Sequence, residues 1–232
     1  MELKNKVVLI TGGSTGIGKS IALSFIEKGS KVIVFGLNKP DYKVDFYKVD
    51  VTKEKEIITF LSKIEKIDIL INNAGGVKLS KIENASNEIF DKMFNINFRG
   101  LFWMCKHSIS KLNNNGCIIN ISSLAGLKSF EEFGIYCATK SAVISLTKTL
   151  ALELADRKIR SNCVAPGIID TIIWDKMYGK SGRRELLENE KYTLAKRAGQ
   201  PEEIAKTAIF ISENDFINGE TIVVDGGENV KS

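Results

Sequence analysis

The stretch "VVLITGGSTGIGKSIALSFIEKG", residues 7–29, decides the fold class of this chain. It begins with an apolar run rich in β-branched residues, which is typical of a strand buried on both faces. A glycine-rich turn follows, and an amphipathic segment then predicts a helix that ends at Gly29. A strand, a turn and a helix in this order indicate the first unit of a doubly wound α/β sheet. In such sheets, ligands bind beyond the carboxyl ends of the strands.

The same alternation continues to the end of the chain. Apolar runs that predict strands lie at residues 6–10, 31–35, 46–51, 68–72, 116–122, 159–165 and 220–225. Amphipathic segments between them predict further helices near residues 53–65, 85–112, 134–155 and 201–212. The apolar runs contain few polar residues, as expected for parallel strands that are covered on both faces. We therefore predict one α/β domain over residues 1–232, with a parallel sheet and helices on both of its faces.

The composition agrees with a globular domain. The chain has 232 residues, of which 44% are hydrophobic and 26% are charged, enough to bury a substantial core. Its net charge is +5, but basic and acidic residues are interspersed, so nucleic-acid binding is not expected. No apolar run has the length of a membrane span, and the first residues do not resemble a signal peptide. We therefore expect a cytoplasmic protein that does not associate with membranes.

Four cysteines and one histidine limit the possible metal chemistry. Cys105, Cys117, Cys137 and Cys163 form no C-x-x-C pair, and the histidine is His107. This spacing does not match the usual ligand sets of zinc sites, so we expect no metal site. Unpaired cysteines are typical of a reducing compartment, where they act as small apolar residues of the core.

The turn "TGGSTGIG", residues 11–18, is a candidate nucleotide site. Gly12 permits a tight turn, while Gly16 and Gly18 allow close approach of the backbone and close packing of the helix. The N-terminus of that helix can then receive a pyrophosphate, and its position after the first strand favours a dinucleotide site. Two further strand ends fit a nucleotide, although each is also compatible with ordinary turn chemistry. Asp50 would bond an adenine amino group, and the small residues 73–75 would line a ribose.

A tyrosine and a lysine, Tyr136 and Lys140, form a candidate acid/base pair. On a helix, a spacing of four residues places both side chains on one face, roughly one turn apart. The charge of a nearby lysine favours the phenolate, which predicts that the pKa of Tyr136 is lowered towards neutrality. The same spacing recurs in Tyr192 and Lys196, so spacing alone does not identify the functional pair.

Six ordered motifs at predicted strand ends resemble those of the short-chain dehydrogenase/reductase family, over nearly the whole chain. They are T-G-x-x-x-G-x-G at residues 11–18, N-N-A-G at 72–75, Asn97 in "NINFRG", Ser123 in "INISSLAG", Tyr136 with Lys140, and P-G at 166–167 with Thr171. The resemblance implies one Rossmann-type domain with strand order 3-2-1-4-5-6-7. It also implies an oxidoreductase that transfers a hydride between NAD or NADP and a secondary alcohol or carbonyl group of a small-molecule substrate.

The resemblance assigns roles to four catalytic residues. Tyr136 is expected to be the general acid/base on the substrate oxygen, with Lys140 bound to the nicotinamide ribose and lowering the pKa of Tyr136. Ser123 is expected to polarise the carbonyl group, and Asn97 to hold a water that relays protons to Lys140. Ser123 lies thirteen residues before Tyr136, whereas no serine lies at that distance before Tyr192. We therefore expect Tyr192 to be a surface aromatic residue.

The resemblance also implies which residues contact the cofactor. They belong to the glycine turn and to the carboxyl ends of later strands. The expected contacts are Gly12, Ser14, Thr15, Gly16, Ile17, Gly18, Leu37, Asp50, Val51, Asn73, Ala74, Gly75, Tyr136, Lys140, Pro166, Gly167, Ile169 and Thr171.

The choice between NAD and NADP stays open. NAD-specific members place an aspartate at the end of the second strand, and here that place holds Gly36. NADP-specific members often have a basic residue at one of two places that hold Leu37 and Thr15 in this chain. No carboxylate would repel a 2′-phosphate, and Lys39 lies close enough in sequence to reach one.

The substrate stays open between two enzyme classes. The short connection after the second strand resembles that of members acting on sugars, polyols or dihydrodiols, and a lid expected over residues 168–198 offers Trp174, Tyr178 and Arg183 for such a substrate. The alternative is a 3-oxoacyl-[acyl-carrier-protein] reductase, for which Arg157 fits one expected basic position while the other holds Asn114. A non-catalytic NAD(P)-binding scaffold is a further alternative, which the complete catalytic set disfavours.

The segment "MFNINFRGLFWMCKHSI" is unusually apolar for a solvated helix. In the short-chain dehydrogenase/reductase family, which this chain resembles, the helices after the fourth and fifth strands pair across a two-fold axis. We therefore expect a homotetramer, although part of this apolar surface would also suit the core of one subunit.

Overall fold

Seven parallel strands form one sheet in the computed structural model, which describes residues 1–188 and 191–231. The strands are β1 (Val7–Thr11), β2 (Lys31–Gly36), β3 (Asp45–Lys48), β4 (Ile67–Asn72), β5 (Leu112–Ile121), β6 (Arg160–Pro166) and β7 (Thr221–Val224). Their order is β3-β2-β1-β4-β5-β6-β7, and every neighbouring pair is parallel. The predicted α/β class and the strand order are therefore confirmed. The order reverses between β1 and β4, which opens a crevice at the carboxyl ends of the strands.

Helices cover both faces of this sheet. They are α1 (Gly16–Glu27), α2 (Glu54–Leu61), α3 (Asn87–Phe94), α4 (Gly100–Ser108), α5 (Gly134–Glu153), α6 (Ile173–Glu188) and α7 (Pro201–Glu213). On one face, Phe25 of α1 and Ile204 of α7 are fully buried in one apolar core. On the other face, Ile57 of α2, Met104 of α4 and Val143 of α5 are fully buried in a second core. Removal of these apolar side chains from water is the main stabilisation of both layers.

The long helix predicted over residues 85–112 is divided. α3 ends at Phe94, the segment Asn95–Arg99 forms a π-helical turn, and α4 then ends at Ser108. Leu112, predicted as the end of this helix, instead begins β5 and pairs with Ile67 of β4. The segment that starts β5 is polar, so the apolar periodicity gave no strand signal there.

β3 ends at Lys48, earlier than predicted. The Asp50 carboxylate accepts hydrogen bonds from the Thr52 backbone N–H at 2.9 Å and from the Thr52 hydroxyl at 2.7 Å. Such a local bond offers the backbone an alternative to the sheet ladder and ends the strand. Asp50 therefore lies in the turn after β3 rather than within the strand.

Residues 37–44, which connect β2 to β3, contain no helix. This confirms the short connection predicted from the sequence. The connection is anchored to the glycine turn, because the Tyr42 hydroxyl donates to the Gly13 carbonyl at 2.6 Å. An ion pair of 2.7 Å between Lys19 and Asp41 joins it to α1.

The helices of the described chain are too short or too polar to cross a membrane. Within residues 1–188 and 191–231, no group of three or more His, Cys, Asp or Glu side chains is placed to hold a metal ion. The four cysteines are all unpaired and buried, as the sequence predicted.

Candidate active site

A cavity of about 530 Å³ lies along the carboxyl edge of the sheet. Its walls are formed by the segments that follow β1 to β6, by Tyr136 and Lys140 of α5, and by side chains of α6. The glycine turn, the candidate acid/base pair and the predicted lid therefore face one continuous space.

The glycine turn presents backbone N–H groups to this cavity. Gly12 has a φ of +68°, a left-handed conformation that lets the chain turn directly after β1. Thr15 precedes α1 without making a side-chain capping bond, and the first turn of α1 contains no acidic residue. The first N–H groups of α1 are thus available to an anion such as a pyrophosphate.

Gly18 has a packing role, and its contact with the cofactor stays a prediction. It is not among the described residues that line the cavity. A Cβ atom at Gly18 would lie 2.3 Å from the Gly12 carbonyl oxygen and 2.4 Å from Nδ2 of Asn73. The absence of a side chain therefore lets α1 pack against the turn and against the end of β4.

Hydrogen bonds join the ends of β1 and β4. The Thr11 hydroxyl accepts the backbone N–H groups of Asn73 and Ala74, each at 3.0 Å. The Asn73 side chain donates to the Gly12 carbonyl at 3.0 Å. Asn73, Ala74 and Gly75 all line the cavity next to the glycine turn, so this network fixes the wall that the sequence assigned to the nucleotide.

Asn97 lies in the π-helical turn, one layer behind the cavity wall. It is almost fully buried, and its Oδ1 atom accepts the Gly76 N–H at 2.9 Å while its Nδ2 atom donates to the Gly76 carbonyl at 2.9 Å. A Cβ atom at Gly75 would lie 2.9 Å from the same Oδ1 atom. Asn97 therefore holds the segment after β4 in place and is not among the described residues that line the cavity. π-helical turns of this kind are frequent at functional sites.

β5 and α5 bring Ser123 and Tyr136 together. The Ser123 hydroxyl accepts the Ala125 N–H at 3.1 Å and lies near enough to the Tyr136 hydroxyl to oppose the rise of its pKa. Tyr136 and Lys140 lie one turn apart on α5 and both line the cavity, as their spacing predicted. The Phe133 ring packs edge-on against the Tyr136 ring, with 6.1 Å between the ring centres.

The predicted lowering of the Tyr136 pKa is wrong for this structure. Burial raises the pKa of Tyr136 to about 12, and the nearby Ser123 hydroxyl opposes this shift only in part. Burial also lowers the pKa of Lys140 to about 8. The Nζ atom of Lys140 lies 5.7 Å from the centre of the Tyr136 ring and donates to the Ile121 carbonyl at 2.9 Å. Removal of both groups from water therefore outweighs their mutual attraction.

The segment after β6 and the helix α6 form the remaining wall. Trp174 and Tyr178 line the cavity and stack at 6.2 Å with nearly parallel rings. α6 is kinked at Gly179, whose φ is +71°. The predicted lid over residues 168–198 includes residues 189 and 190, which lie outside the described residues. The predicted cofactor contacts of this segment line the cavity: Pro166, Gly167, Ile169 and Thr171.

The arginines of α6 do not line the cavity. Arg183 donates to Asp170 at 3.1 Å and to Asp175 at 3.0 Å. Arg184 forms an exposed pair with Glu188. The expected hydrogen bonds from Arg183 to a substrate are therefore not supported, since this guanidinium is already occupied by two carboxylates.

Several wall residues were not predicted from the sequence. Tyr192, expected on the surface, is 44% exposed but also lines the cavity. Glu228, in the turn after β7, lines the cavity as well. Its position beyond the end of a strand is the signal by which the sequence could have identified it. Other unpredicted wall residues include apolar side chains of loops, of the π-helical turn and of α6, where no motif marks them: Val77, Ile96, Phe130, Phe133, Ile172 and Leu186.

The chain is similar to known proteins over nearly its full length. Residues 12–229 match the family described as enoyl-(acyl carrier protein) reductase. A 3-oxoacyl-[acyl-carrier-protein] reductase of Thermotoga maritima is 34% identical over 98% of this chain and 99% of its own length. The aldohexose dehydrogenase of Thermoplasma acidophilum, solved in ligand-free form, has a TM-score of 0.94 at 31% identity, covering 99% of this chain and 96% of its own. The structure of ElxO with NADP bound has a TM-score of 0.86 at 32% identity, and the match covers 97% of this chain and 98% of the ElxO chain.

The described residues fit a nicotinamide dinucleotide. The first turn of α1 lines the same cavity as Ser123, Tyr136 and Lys140, so a phosphate site at this helix N-terminus and an acid/base site are adjacent. The strand order, this site and the match over residues 12–229 agree with one another. The chain therefore belongs to the short-chain dehydrogenase/reductase family and is an NAD(P)-dependent oxidoreductase that acts on CH–OH or carbonyl groups.

Proposed function

We propose that this chain interconverts a ketone and a secondary alcohol on a small molecule with an apolar body, with Ser123, Tyr136 and Lys140 as catalytic residues. One observation carries the proposal: the glycine turn, these three side chains and a largely apolar wall all line one cavity of about 530 Å³. Backbone groups for the cofactor, an acid/base group and space for a substrate are thus adjacent.

Tyr136 is the proton donor in the reduction direction. Because burial raises its pKa to about 12, the phenol keeps its proton at neutral pH and can donate it to the substrate oxygen. Ser123, which lines the same part of the cavity as Tyr136, donates a second hydrogen bond to the same oxygen, where negative charge develops. The nicotinamide, when bound, supplies or accepts the hydride.

Lys140 and Asn97 support Tyr136 in different ways. The Lys140 ammonium has three donors and uses one on the Ile121 carbonyl, so it can bond a ribose hydroxyl with another. Asn97 acts as a positioning residue, because its side chain holds both backbone groups of Gly76. The relay water that the family resemblance implies for Asn97 stays a prediction.

The cofactor is proposed to extend from the glycine turn to the catalytic residues. The adenosine end is lined by Gly36, Leu37 and Asn38, none of which is a carboxylate, so a 2′-phosphate meets no like charge there. We therefore expect NADP to be accepted, without exclusion of NAD. The residues that would hold the cofactor are Gly12, Ser14, Thr15, Gly16, Ile17, Leu37, Asp50, Val51, Asn73, Ala74, Gly75, Tyr136, Lys140, Pro166, Gly167, Ile169 and Thr171.

A sugar or polyol is the second candidate substrate. It is favoured by the likeness to the aldohexose dehydrogenase of Thermoplasma acidophilum and by the Glu228 carboxylate in the cavity wall. The apolar walls favour the first candidate, because a sugar needs several positioned hydrogen bonds and Arg183 supplies none in this structure.

Delivery of the substrate on an acidic carrier protein is less well supported. The hypothesis of a 3-oxoacyl-[acyl-carrier-protein] reductase depended on Arg157 as a docking residue. This side chain instead donates to the Asn114 side chain at 3.1 Å and to the Ile109 carbonyl at 2.8 Å. It also donates to the Leu112 carbonyl, so the guanidinium ties the end of α5 to the start of β5. A guanidinium occupied in this way is a poor docking site for a carboxylate or phosphate.

The assembly and the location of the enzyme are also proposals. We propose one catalytic unit over residues 1–232 with a lid near residues 168–198, assembled as a homotetramer. The exposed apolar side chains of Phe90, Phe102 and Leu152 on α3, α4 and α5 support this assembly. The four buried free cysteines support a reducing compartment such as the cytoplasm.

An initial-rate panel tests the proposed activity. The substrates are cyclohexanone, an acetoacetyl thioester, glucose and glycerol in the appropriate direction, each with NAD(H) and NADP(H). We expect the highest kcat/KM for cyclohexanone. Efficient oxidation of glucose or glycerol with no reduction of cyclohexanone would contradict a ketone substrate with an apolar body and would support a sugar or polyol substrate instead.

A further inference from the structure

The turn after β7 brings a carboxylate into the cavity wall. Gly226 and Gly227 have φ values of +61° and +83°, which reverse the chain over the carboxyl edge of the sheet. Asp225 fixes this reversal by accepting the Gly227 N–H at 2.9 Å and the Asn229 N–H at 2.7 Å. Glu228, between these two donors in the chain, lines the cavity. The local turn therefore sets the direction of the Glu228 side chain.

The backbone that follows β6 binds this carboxylate. The Oε2 atom of Glu228 accepts the Ile168 N–H at 3.2 Å. A Cβ atom at Gly167 would lie 2.7 Å from the same oxygen, so the glycine leaves the space that the carboxylate occupies. The carboxylate is thus held against the backbone of residues 167 and 168, in the wall of the cavity that the catalytic residues also line.

The second oxygen of Glu228 has no donor among the described residues. The other carboxylate in the wall, Asp50, lies after β3, and one of its oxygens is occupied by Thr52. Burial raises the pKa of the Glu228 carboxyl, while the Ile168 N–H and Lys128 oppose this shift. This oxygen keeps some exposure to the cavity, so the hydroxyl group of a ligand that replaces water there can donate a hydrogen bond to it.

We propose that Glu228 is a specificity-determining residue that accepts a hydrogen bond from a hydroxyl group of the substrate, away from the reacting carbon. This inference rests on the proposed function, because Ser123 and Tyr136 hold the reacting oxygen. The apolar walls then bind the hydrocarbon part of the substrate, and Glu228 selects one further hydroxyl group. The same charge disfavours a substrate with a carboxylate or phosphate at that position. The favoured substrate class is a diol or hydroxyketone with an apolar body.

A series of cyclic alcohols tests this inference. Cyclohexanol and the 1,2-, 1,3- and 1,4-cyclohexanediols differ only in the second hydroxyl group and scan its distance from the reacting carbon. Binding to the cofactor-saturated protein is followed by tryptophan fluorescence, since Trp174 lines the cavity, and turnover is followed by the absorbance of the reduced cofactor. In the wild-type chain, we expect one diol to bind roughly tenfold or more tightly than cyclohexanol, as for a hydrogen bond to a charged acceptor.

Two variants of Glu228 connect this preference to the carboxylate. Glu228→Met keeps the side-chain length without an acceptor, and we expect the preference for the diol to fall to within about twofold. Glu228→Gln keeps the bond to Ile168 and a neutral acceptor, and we expect a loss of roughly threefold. The control is Glu65→Gln, an exposed position just before β4 at the opposite edge of the sheet, which should retain the full preference.

The outcomes separate this inference from the proposed function. A wild-type chain that prefers no diol, or a preference that survives in both Glu228 variants, overturns the role of Glu228. If Glu228→Met does not fold, the Gln variant decides alone. A change confined to the KM of the cofactor would place Glu228 at the nicotinamide and also overturn the inference. Binding of a diol lost on substitution of Glu228, but without turnover of any alcohol or ketone, would instead contradict the proposed function.

Discussion

The Nζ atom of Lys140 lies 5.7 Å from the centre of the Tyr136 ring; Lys140 is buried and Tyr136 is partly buried in the cavity wall. Burial acts on them in opposite directions, because it raises the pKa of the phenol to about 12 and lowers that of the ammonium to about 8. In each case the uncharged form is favoured. Near neutral pH the buried ammonium weakens folding while the neutral phenol does not, and a buried charge retained at such a cost is characteristic of a group that serves chemistry rather than stability.

Replacement of the phenol tests the proposed proton donor. We expect Tyr136→Phe to lower kcat by about 10²–10⁴, the usual loss when a general acid is removed. Cofactor affinity should change little, since the hydroxyl contributes few of the dinucleotide contacts. The matched control is Tyr192→Phe, which removes a hydroxyl from the same cavity and should change kcat by less than about threefold. Steady-state kinetics and cofactor titration distinguish the two, and activity of Tyr136→Phe within tenfold of wild type would reject the assignment.

Removal of the buried ammonium is expected to stabilise the fold while it inactivates the enzyme. The pKa of Lys140 is lowered from 10.5 to about 8, so below pH 8 the folded chain carries a buried charge at a cost. Between pH 8 and 10.5, the folded state has lost this proton while the unfolded state keeps it, and wild-type stability therefore rises with pH. We expect Lys140→Met to raise the free energy of unfolding on the order of 2 kcal/mol at pH 7, after loss of the Ile121 bond.

Urea unfolding at pH 7 and at pH 10 measures this effect. The advantage of Lys140→Met should shrink as the pH rises, because the folded wild-type chain then holds Lys140 in its neutral form and no longer bears the cost of a buried charge. Lys148→Met, at an exposed position of the same helix, serves as the control and should show no such pH dependence. A variant that is less stable than wild type at pH 7 would show that the bond to Ile121 outweighs the cost of the buried charge.

The sequence predicted the sheet because its signal is local and repeated. Buried parallel strands are apolar throughout, and glycine or small polar residues mark their carboxyl ends, so Gly12 and Asn73 were found from their place after a strand. Ser123 was found from the family resemblance. The pKa of Tyr136 was predicted in the wrong direction, because spacing reports the neighbouring charge and not the burial of the pair. Arg183 was assigned to the substrate, but in the structure it pairs with two aspartates. This pairing depends on how the lid folds, which the sequence pattern does not report.

Gly18 provides a test of close packing behind the glycine turn. A Cβ atom there would lie 2.3 Å from the Gly12 carbonyl oxygen, so we expect Gly18→Ala to lower the free energy of unfolding by about 1–3 kcal/mol. Cofactor affinity should fall as well, since α1 would move away from the turn. Gly76→Ala is the control, because its Cβ would meet Ile96 at an ordinary distance of 3.7 Å. Equal stability of the two variants, measured by thermal unfolding, would show that the turn relaxes without cost.

A new carboxylate at the adenosine end tests the cofactor preference. Leu37 directly follows β2, is 57% exposed and lines the cavity, and no carboxylate lies next to it among residues 36–38. We expect Leu37→Asp to raise the KM for NADPH at least tenfold relative to that for NADH, because the carboxylate repels a 2′-phosphate and accepts bonds from the ribose hydroxyls. Leu37→Asn has nearly the same shape without the charge and should give a much smaller change. An equal effect of both variants would show that shape and not charge decides the preference.

Subunit assembly is expected to depend on apolar side chains of α4 and α5. Phe102 is 42% exposed on α4 and Leu152 is 80% exposed on α5, a costly arrangement for an isolated subunit unless a partner covers them. We expect the wild-type chain to be a tetramer at micromolar concentration, and Phe102→Glu and Leu152→Glu each to yield smaller species, since a carboxylate would be buried unpaired at the contact. Ile58→Glu, on α2 with a comparable exposed fraction of 47%, is the control and should remain tetrameric. Light scattering coupled to size-exclusion chromatography reports the mass of each variant. A monomeric wild-type chain would contradict the assembly, and a tetramer that survives both substitutions would place the contact on another surface.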